Sequence, residues 1–213
     1  MEIIMDAIEV RVLGSLIEKE LATPEYYPLT LNALTSACNQ KSNRDPIVAY
    51  DESVVASALD RLIERKLVWK SSVGRVPKFE ERLTHEHSLV PRESSVLCVL
   101  LLRGPQTVGE IRGRTVRIYN FKDLEDVQAT LDNLAQWGFV RQQPRLPGHK
   151  ESRYGHLLCT EKGEPETAAP AGGDTTEEVD DTRIERIEDA LERLQKEIED
   201  LKTAFQAFKG QFD

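Results

Sequence analysis

The chain has 213 residues, of which 39% are hydrophobic and 31% charged, with a formal net charge of −9. That length gives room for two cores of about 100 residues each, and the longest apolar run, residues 96–102, falls far short of the roughly 20 needed to cross a bilayer. No membrane role is therefore expected. With Glu2 and Asp6 where a secretory leader needs positive charge, the protein is expected to be cytoplasmic.

Charge is unevenly placed. Residues 161–213 hold 7 Lys+Arg against 16 Asp+Glu, and residues 1–160 hold 21 of each. The body is thus neutral, not the strongly basic domain that by itself announces nucleic acid. Cys38, Cys98 and Cys159 are odd in number and lack CxxC spacing, which argues against a disulfide frame or a zinc knuckle and for small buried apolar groups.

Along residues 6–21, Ala7, Ile8, Val10, Leu13, Leu16, Ile17 and Leu21 recur at helical spacing, which predicts an amphipathic helix. Thr23-Pro24 stops it, and Thr30 is placed to cap a short helix through Leu31, Leu34 and Ala37. The polar connection NQKSNRDPIVAYDES then delivers a third helix over 53–66, with Val55, Ala58, Leu59, Leu62 and Ile63 inward. Alternating residues around Ser-Ser-Val-Gly in LVWKSSVGRVPKFEERL predict a hairpin. Three helices and a hairpin are the order of a winged helix.

The order returns. ESSVLCVLLLRG mirrors EVRVLGSLIEKE, TVGEI mirrors TLNAL, and VQATLDNLAQWGFV mirrors VASALDRLIERKLV, with a second hairpin turning near Pro147-Gly148. The expected fold is α+β, mainly α: two tandem winged-helix domains over 1–84 and 91–160. A disordered acidic linker is expected at 161–182, rich in Pro, Gly, Thr and acid, followed by a coiled-coil-like helix at 183–209. In that last segment Ile184, Ile187, Leu191, Leu194, Ile198 and Leu201 alternate spacings of 3 and 4, a seam suited to a partner helix. A homo-oligomer, a dimer, is expected through it; the alternative is that the stripe lies on its own chain.

The runs VLGSLIEKELATPEYYPLTLNALTSACNQKSNRDP and LVPRESSVLCVLLLRGPQTVGEIRGRT resemble the YceH family of bacterial proteins, a domain-of-unknown-function family. The resemblance covers about residues 5–160. It implies a tandem winged-helix fold and a soluble bacterial protein, and it implies no activity.

No phosphate loop, HExxH, nucleophile elbow or Ser-His-Asp order occurs, so neither enzymatic activity nor a cofactor is expected. His85-Glu86-His87, on a strand, would set two imidazoles on one face, but no third ligand is assigned to them and no metal is expected.

For contacts, a winged helix usually offers its third helix to the major groove and its hairpin to the backbone or minor groove. The first third helix has Arg61 and Arg65 outward; the second leads with Asp123, Glu125 and Asp126, which oppose phosphates. Basic residues mark the hairpins: Lys70, Arg75 and Lys78 on the first, and Arg141, Arg145, Lys150 and Arg153 on the second. Arg112, Arg114 and Arg117 lie in and after the second unit's short helix. In the polar connection, Asn39, Gln40, Lys41, Asn43 and Arg44 offer donors to phosphates, base edges or a protein partner. Two partner classes follow. One is double-stranded DNA, approached by basic wings; the other is a protein partner, bound by a scaffold that reads no DNA. Loop capping and solvated edge-strand charge remain the plainer accounts of the same residues.

Overall fold

A computed structural model describes residues 4–71, 74, 76–145 and 151–159. Helix α1 (Ala7–Ala22) begins at a capping box: the Asp6 carboxylate accepts from the backbone of Ile8 and Glu9, and Glu9 reaches back to the Asp6 N–H. A single 3-10 turn, Pro24–Tyr26, follows the stop at Thr23. Strand β1 (Leu29–Thr30) leads into α2 (Leu31–Cys38), capped by the Thr30 hydroxyl as expected. Next come α3 (Glu52–Glu64), β2 (Val68–Ser71) and β3 (Lys78–Glu81). The sheet order is β1-β3-β2, antiparallel throughout.

The junction between the repeats is neither a strand nor an extended link. It forms a short helix, α4 (Leu83–Glu86), with Leu83 fully buried. Then α5 (Pro91–Arg103), α6 (Val108–Thr115), α7 (Leu124–Gln136), β4 (Val140–Gln142) and β5 (Tyr154–His156) repeat the earlier order. The correspondences are physical. Glu93 closes on the Val90 N–H as Glu9 closes on that of Asp6. Thr107 caps α6 as Thr30 caps α2. Gln106 bridges Tyr154 where β1 pairs with β3. Each third helix is left through a positive φ, at Lys66 (61°) and Gly138 (78°), a geometry that glycine adopts without strain.

Among the described residues the chain is α+β and mainly helical, with seven α-helices and two small antiparallel sheets. No helix there is long and apolar enough to cross a membrane.

Both repeats feed one hydrophobic core. Leu13, Leu16 and Ile17 of α1 and Leu97 and Leu100 of α5 are sealed within it, each such side chain contributing about 1.5–3 kcal/mol. Gly14 sets the closeness of the two helices: a Cβ there would stand 3.0 Å from Leu101 Cβ. Cys38 and Cys98 are buried thiols, as expected, whereas Cys159 is half-buried. At the edge of the body the Met5 N–H donates to the Leu158 carbonyl at 2.9 Å, tying the start of α1 to the end of the second repeat.

Candidate functional site and the basic groups

The connection from α2 to α3, residues 39–51, is organised by two guanidinium groups that face inward. Arg44 is 4% exposed; it meets Glu18 through two nitrogens, at 2.7 and 3.1 Å, and donates to the Ala37 and Asn43 carbonyls. Burial pushes the Glu18 carboxyl upward, and the Arg44 pair with its hydrogen bonds outweighs that and holds it below the usual range. Arg11, also 4% exposed, donates to the Pro46 carbonyl at 2.6 Å and to the Cys38 carbonyl at 3.4 Å. Asn39 makes a two-way amide pair with the Tyr50 backbone, both bonds 2.8 Å. Gln40 accepts from Lys19 and Arg44. The expectation that Asn39 and Arg44 face a ligand is therefore corrected: loop carbonyls cut off from water need donors, and these side chains supply them. Lys41, Ser42 and Asn43 stay exposed.

Arg61 and Arg65 are likewise engaged within the chain. Arg61 pairs with Asp6 at 2.8 Å and Glu9 at 2.9 Å; Arg65 pairs with Glu9 at 3.4 Å and donates to the Ile4 carbonyl. These bonds tie α3 to the N-terminal turn of α1, and the charge expected to face a groove is neutralised by it. Asp6, whose residue caps α1, thus also anchors the third helix.

Among the described residues, four of the hairpin cations are exposed. Lys70 and Lys78 are exposed on β2 and β3, and Arg141 and Arg145 on the second hairpin. Arg145 reaches the Ser152 hydroxyl at 3.4 Å. Arg75 and Lys150 lie outside the described residues, as do Ile184, Ile187, Leu191, Leu194, Ile198 and Leu201. Arg153 folds back to Glu110 at 3.1 Å and to the Pro105 carbonyl at 2.9 Å, bracing the hairpin against α6. Arg112 donates to the Lys122 carbonyl.

A cleft of about 590 Å³ opens where the repeats meet. It gathers Gln40, Lys41 and Asn43 of the first repeat with Arg114 and Arg117 of the second, residues that belong to unrelated segments of the sequence. Lys19 of α1 and Arg103 of α5 join them; as single charges on amphipathic helices they carry no local signal of a site.

A second cluster answers the missing third ligand of the His-Glu-His motif. The Glu20 and Glu81 carboxylates and His85 Nε2 lie within 4.8 Å of one another, with His85 to Glu20 at 2.8 Å and to Glu81 at 3.7 Å. Two carboxylates and an imidazole are a donor set that suits a divalent transition ion. His87 does not share that face: it ends α4 and packs edge-on against Phe139, ring centroids 5.0 Å apart. Glu81 is buried and accepts from the Thr84 N–H and hydroxyl. Burial holds its carboxyl above the usual range, opposed by those two bonds.

His156 on β5 is turned partly inward: its Nδ1 is buried without a hydrogen-bond partner among the described residues, and burial pushes its pKa down to about 4.

The chain is similar over most or all of its length to proteins from several bacteria. A UPF0502 protein of Solibacter usitatus is 48% identical over 210 residues, 98% of each chain. One from Geobacter sulfurreducens is 46% identical over 219 aligned positions, covering all of both. One from Geotalea daltonii reaches 53% over 172, about four-fifths of each. The model of the family described as "Protein of unknown function, DUF480" matches residues 5–149, a span that takes in the paired arginines, the cleft and the Glu20–Glu81–His85 cluster, and the chain belongs to that family.

Proposed function

We propose that each repeat is a winged helix and that the protein is a binding protein, not an enzyme: a regulator-like protein that meets double-stranded DNA with its hairpins, not with its third helices. The observation that carries this reading is the segregation of charge. Lys70, Lys78 and Arg145 are exposed on the hairpins, whereas Arg61 and Arg65 are paired with Asp6 and Glu9 and α7 opens with Glu125 and Asp126. Backbone phosphates need outward cations and take no sequence information from them, so the binding is weakly selective.

The test is fluorescence anisotropy of a labelled mixed-sequence duplex with the full chain, titrated in salt. Binding that weakens steeply with salt is expected. Each hairpin cation changed to Ala should flatten the logarithmic salt slope by about 0.9. Absence of binding at low salt overturns the reading.

A protein partner is the second reading, favoured by a separate observation. Trp69 on β2 is 60% exposed and Trp137 at the end of α7 is 51% exposed, and exposed tryptophans anchor protein interfaces more often than they contact phosphate. Self-association through the 183–209 seam belongs to either reading: Leu194→Asp should lower the mass measured by light scattering to that of a monomer, and an unchanged mass removes the seam from the account.

A further inference from the structure

The cleft between the repeats has the composition of an anion site. Its walls come from the C-terminal half of α1, from the connection at residues 40–43, from α5, and from α6 with the turn after it. Five cations line it, Lys19, Lys41, Arg103, Arg114 and Arg117, against one carboxylate, Glu18. That single acid is already held by buried Arg44 at 2.7 Å as well as by Lys19 at 3.4 Å. In a chain of net charge −9, an excess of four positive charges around one concavity is a local reversal of sign.

Two of those cations are also poorly supplied with internal acceptors. Arg103 Nε is buried with no hydrogen-bond partner among the described residues, and its Nη1 reaches Asn43 Oδ1 only at 3.5 Å. Arg114 shares one carboxylate, Glu110, with Arg153, at 3.6 and 3.1 Å. Burial and then the neighbouring Arg103 charge hold the Arg114 pKa below its usual value, with Arg153 acting the same way and Glu110 and Asp45 opposing. Buried donors without acceptors and crowded like charges are both relieved by an anion.

The cleft is not polar throughout. Ala22, Val99, Leu102 and Ile118 supply an apolar portion, and about 590 Å³ lies within the roughly 300–1,000 Å³ typical of small-molecule sites, which favour the meeting of two units. A duplex backbone needs cations on a surface that it can track; a concavity walled on four sides with an apolar face suits a compact ligand better.

We propose that this cleft binds a small phosphorylated molecule, its phosphate groups held by Arg103, Arg114, Arg117 and Lys41 and its uncharged part resting on Val99, Leu102 and Ile118. A nucleoside diphosphate has that chemistry. Because Lys19 and Lys41 belong to the first repeat and the three arginines to the second, an occupant bridges the two repeats and stabilises the bound arrangement. The proposal does not depend on DNA binding: the hairpin cations are different residues, and either function can exist without the other.

The experiment is calorimetric titration of the full chain at low salt with two probes, inorganic pyrophosphate and ADP, paired with thermal melting in their presence. Both probes are expected to bind and raise the melting temperature, ADP more tightly because it also covers the apolar face. Lys41→Ala and Arg117→Ala, both exposed and therefore tolerated by the fold, should each weaken pyrophosphate by about 10-fold or more, the scale of a charge-assisted hydrogen bond. Val99→Ser should weaken ADP and leave pyrophosphate unchanged. The proposal is overturned if neither probe binds at millimolar concentration, or if binding survives Lys41→Ala/Arg117→Ala unchanged. It is equally overturned if that double variant loses duplex affinity while neither probe competes with the duplex, since the cleft would then belong to a nucleic-acid surface.

Discussion

The two repeats solve one problem with opposite chemistry. Each must carry the chain from its second helix to its third and fill the space beneath that connection. In the first repeat, residues 39–51 wrap around the guanidinium groups of Arg11 and Arg44, which donate to the loop carbonyls of Asn43 and Pro46 and to those of Ala37 and Cys38 at the end of α2. In the second, the shorter passage 116–123 is plugged by Phe121, 2% exposed, with Tyr119 edge-on at 4.8 Å. The hairpins differ in the same sense. Glu81 and His156 hold matching places, opposite Val68 and Val140 in their ladders, and one is a buried acid, the other a half-buried base whose Nδ1 is cut off from solvent. Topology therefore does not dictate whether an internal site is polar.

The largest effects come from breaking the two plugs. Arg44→Ala leaves the buried Glu18 carboxylate with only the longer Lys19 contact and should cost about 3 kcal/mol in urea unfolding, whereas the double variant Arg44→Met/Glu18→Leu should recover most of that loss. Phe121→Ala should cost a similar amount, about 3–5 kcal/mol, with no second-site rescue by removal of a charge. If the Arg44/Glu18 double variant is as unstable as Arg44→Ala alone, the first connection is held by Arg44's bonds to carbonyls and not by its pair.

The hairpin comparison is read by pH. The folded pKa of His156 lies below the unfolded value near 6.5, at about 4, so the unfolded state binds its proton first. Its contribution is present above about 6.5 and is lost as pH falls toward 4, by about 1–3 kcal/mol. Glu81, raised in the folded state, works in the opposite direction: its stabilising proton is lost as pH rises through its folded pKa. The two therefore partly offset each other in mildly acidic solution. Stability curves of His156→Asn should fall less steeply on acidification than the parent's, and those of Glu81→Gln more steeply. Parallel curves for both variants would show that neither group titrates on folding.

The smallest expected effect separates the inner from the outer face of the first connection. Asn39→Ala removes both bonds to Tyr50 and should cost about 1–2 kcal/mol, while Lys41→Ala, exposed, should stay within about 0.5 kcal/mol. Equal losses would mean that the loop is not divided into a structural and a ligand-facing side.

Much of the secondary structure was legible because it is written in local period and capping chemistry. The Leu13–Leu16–Ile17 stripe, Thr30 as a cap, and the matched LD-x-L of the two third helices each depend on residues within a few positions of one another. The helix at 83–86 was not, since four residues show no period and Leu83 is fixed by what buries it. The candidate site was legible only in part. Lys41, Asn43, Arg114 and Arg117 stood out as polar or basic residues, but nothing local joins positions 41 and 117, or picks Lys19 and Arg103 from the other charges on their helices.

What the amino-acid order determined by itself is the succession of elements, their repetition and the family, because backbone propensity, side-chain period and end caps act over one or two turns. What only the tertiary structure decided is the direction in which each charge is used. Arg44 and Arg61 read alike in the sequence, as exposed donors in polar surroundings, yet one is sealed by Glu18, 26 residues away, and the other is paired with Glu9, 52 residues away. A cation's role is set by the nearest carboxylate in space, and that neighbour is chosen by the packing of α1 against α3 and α5.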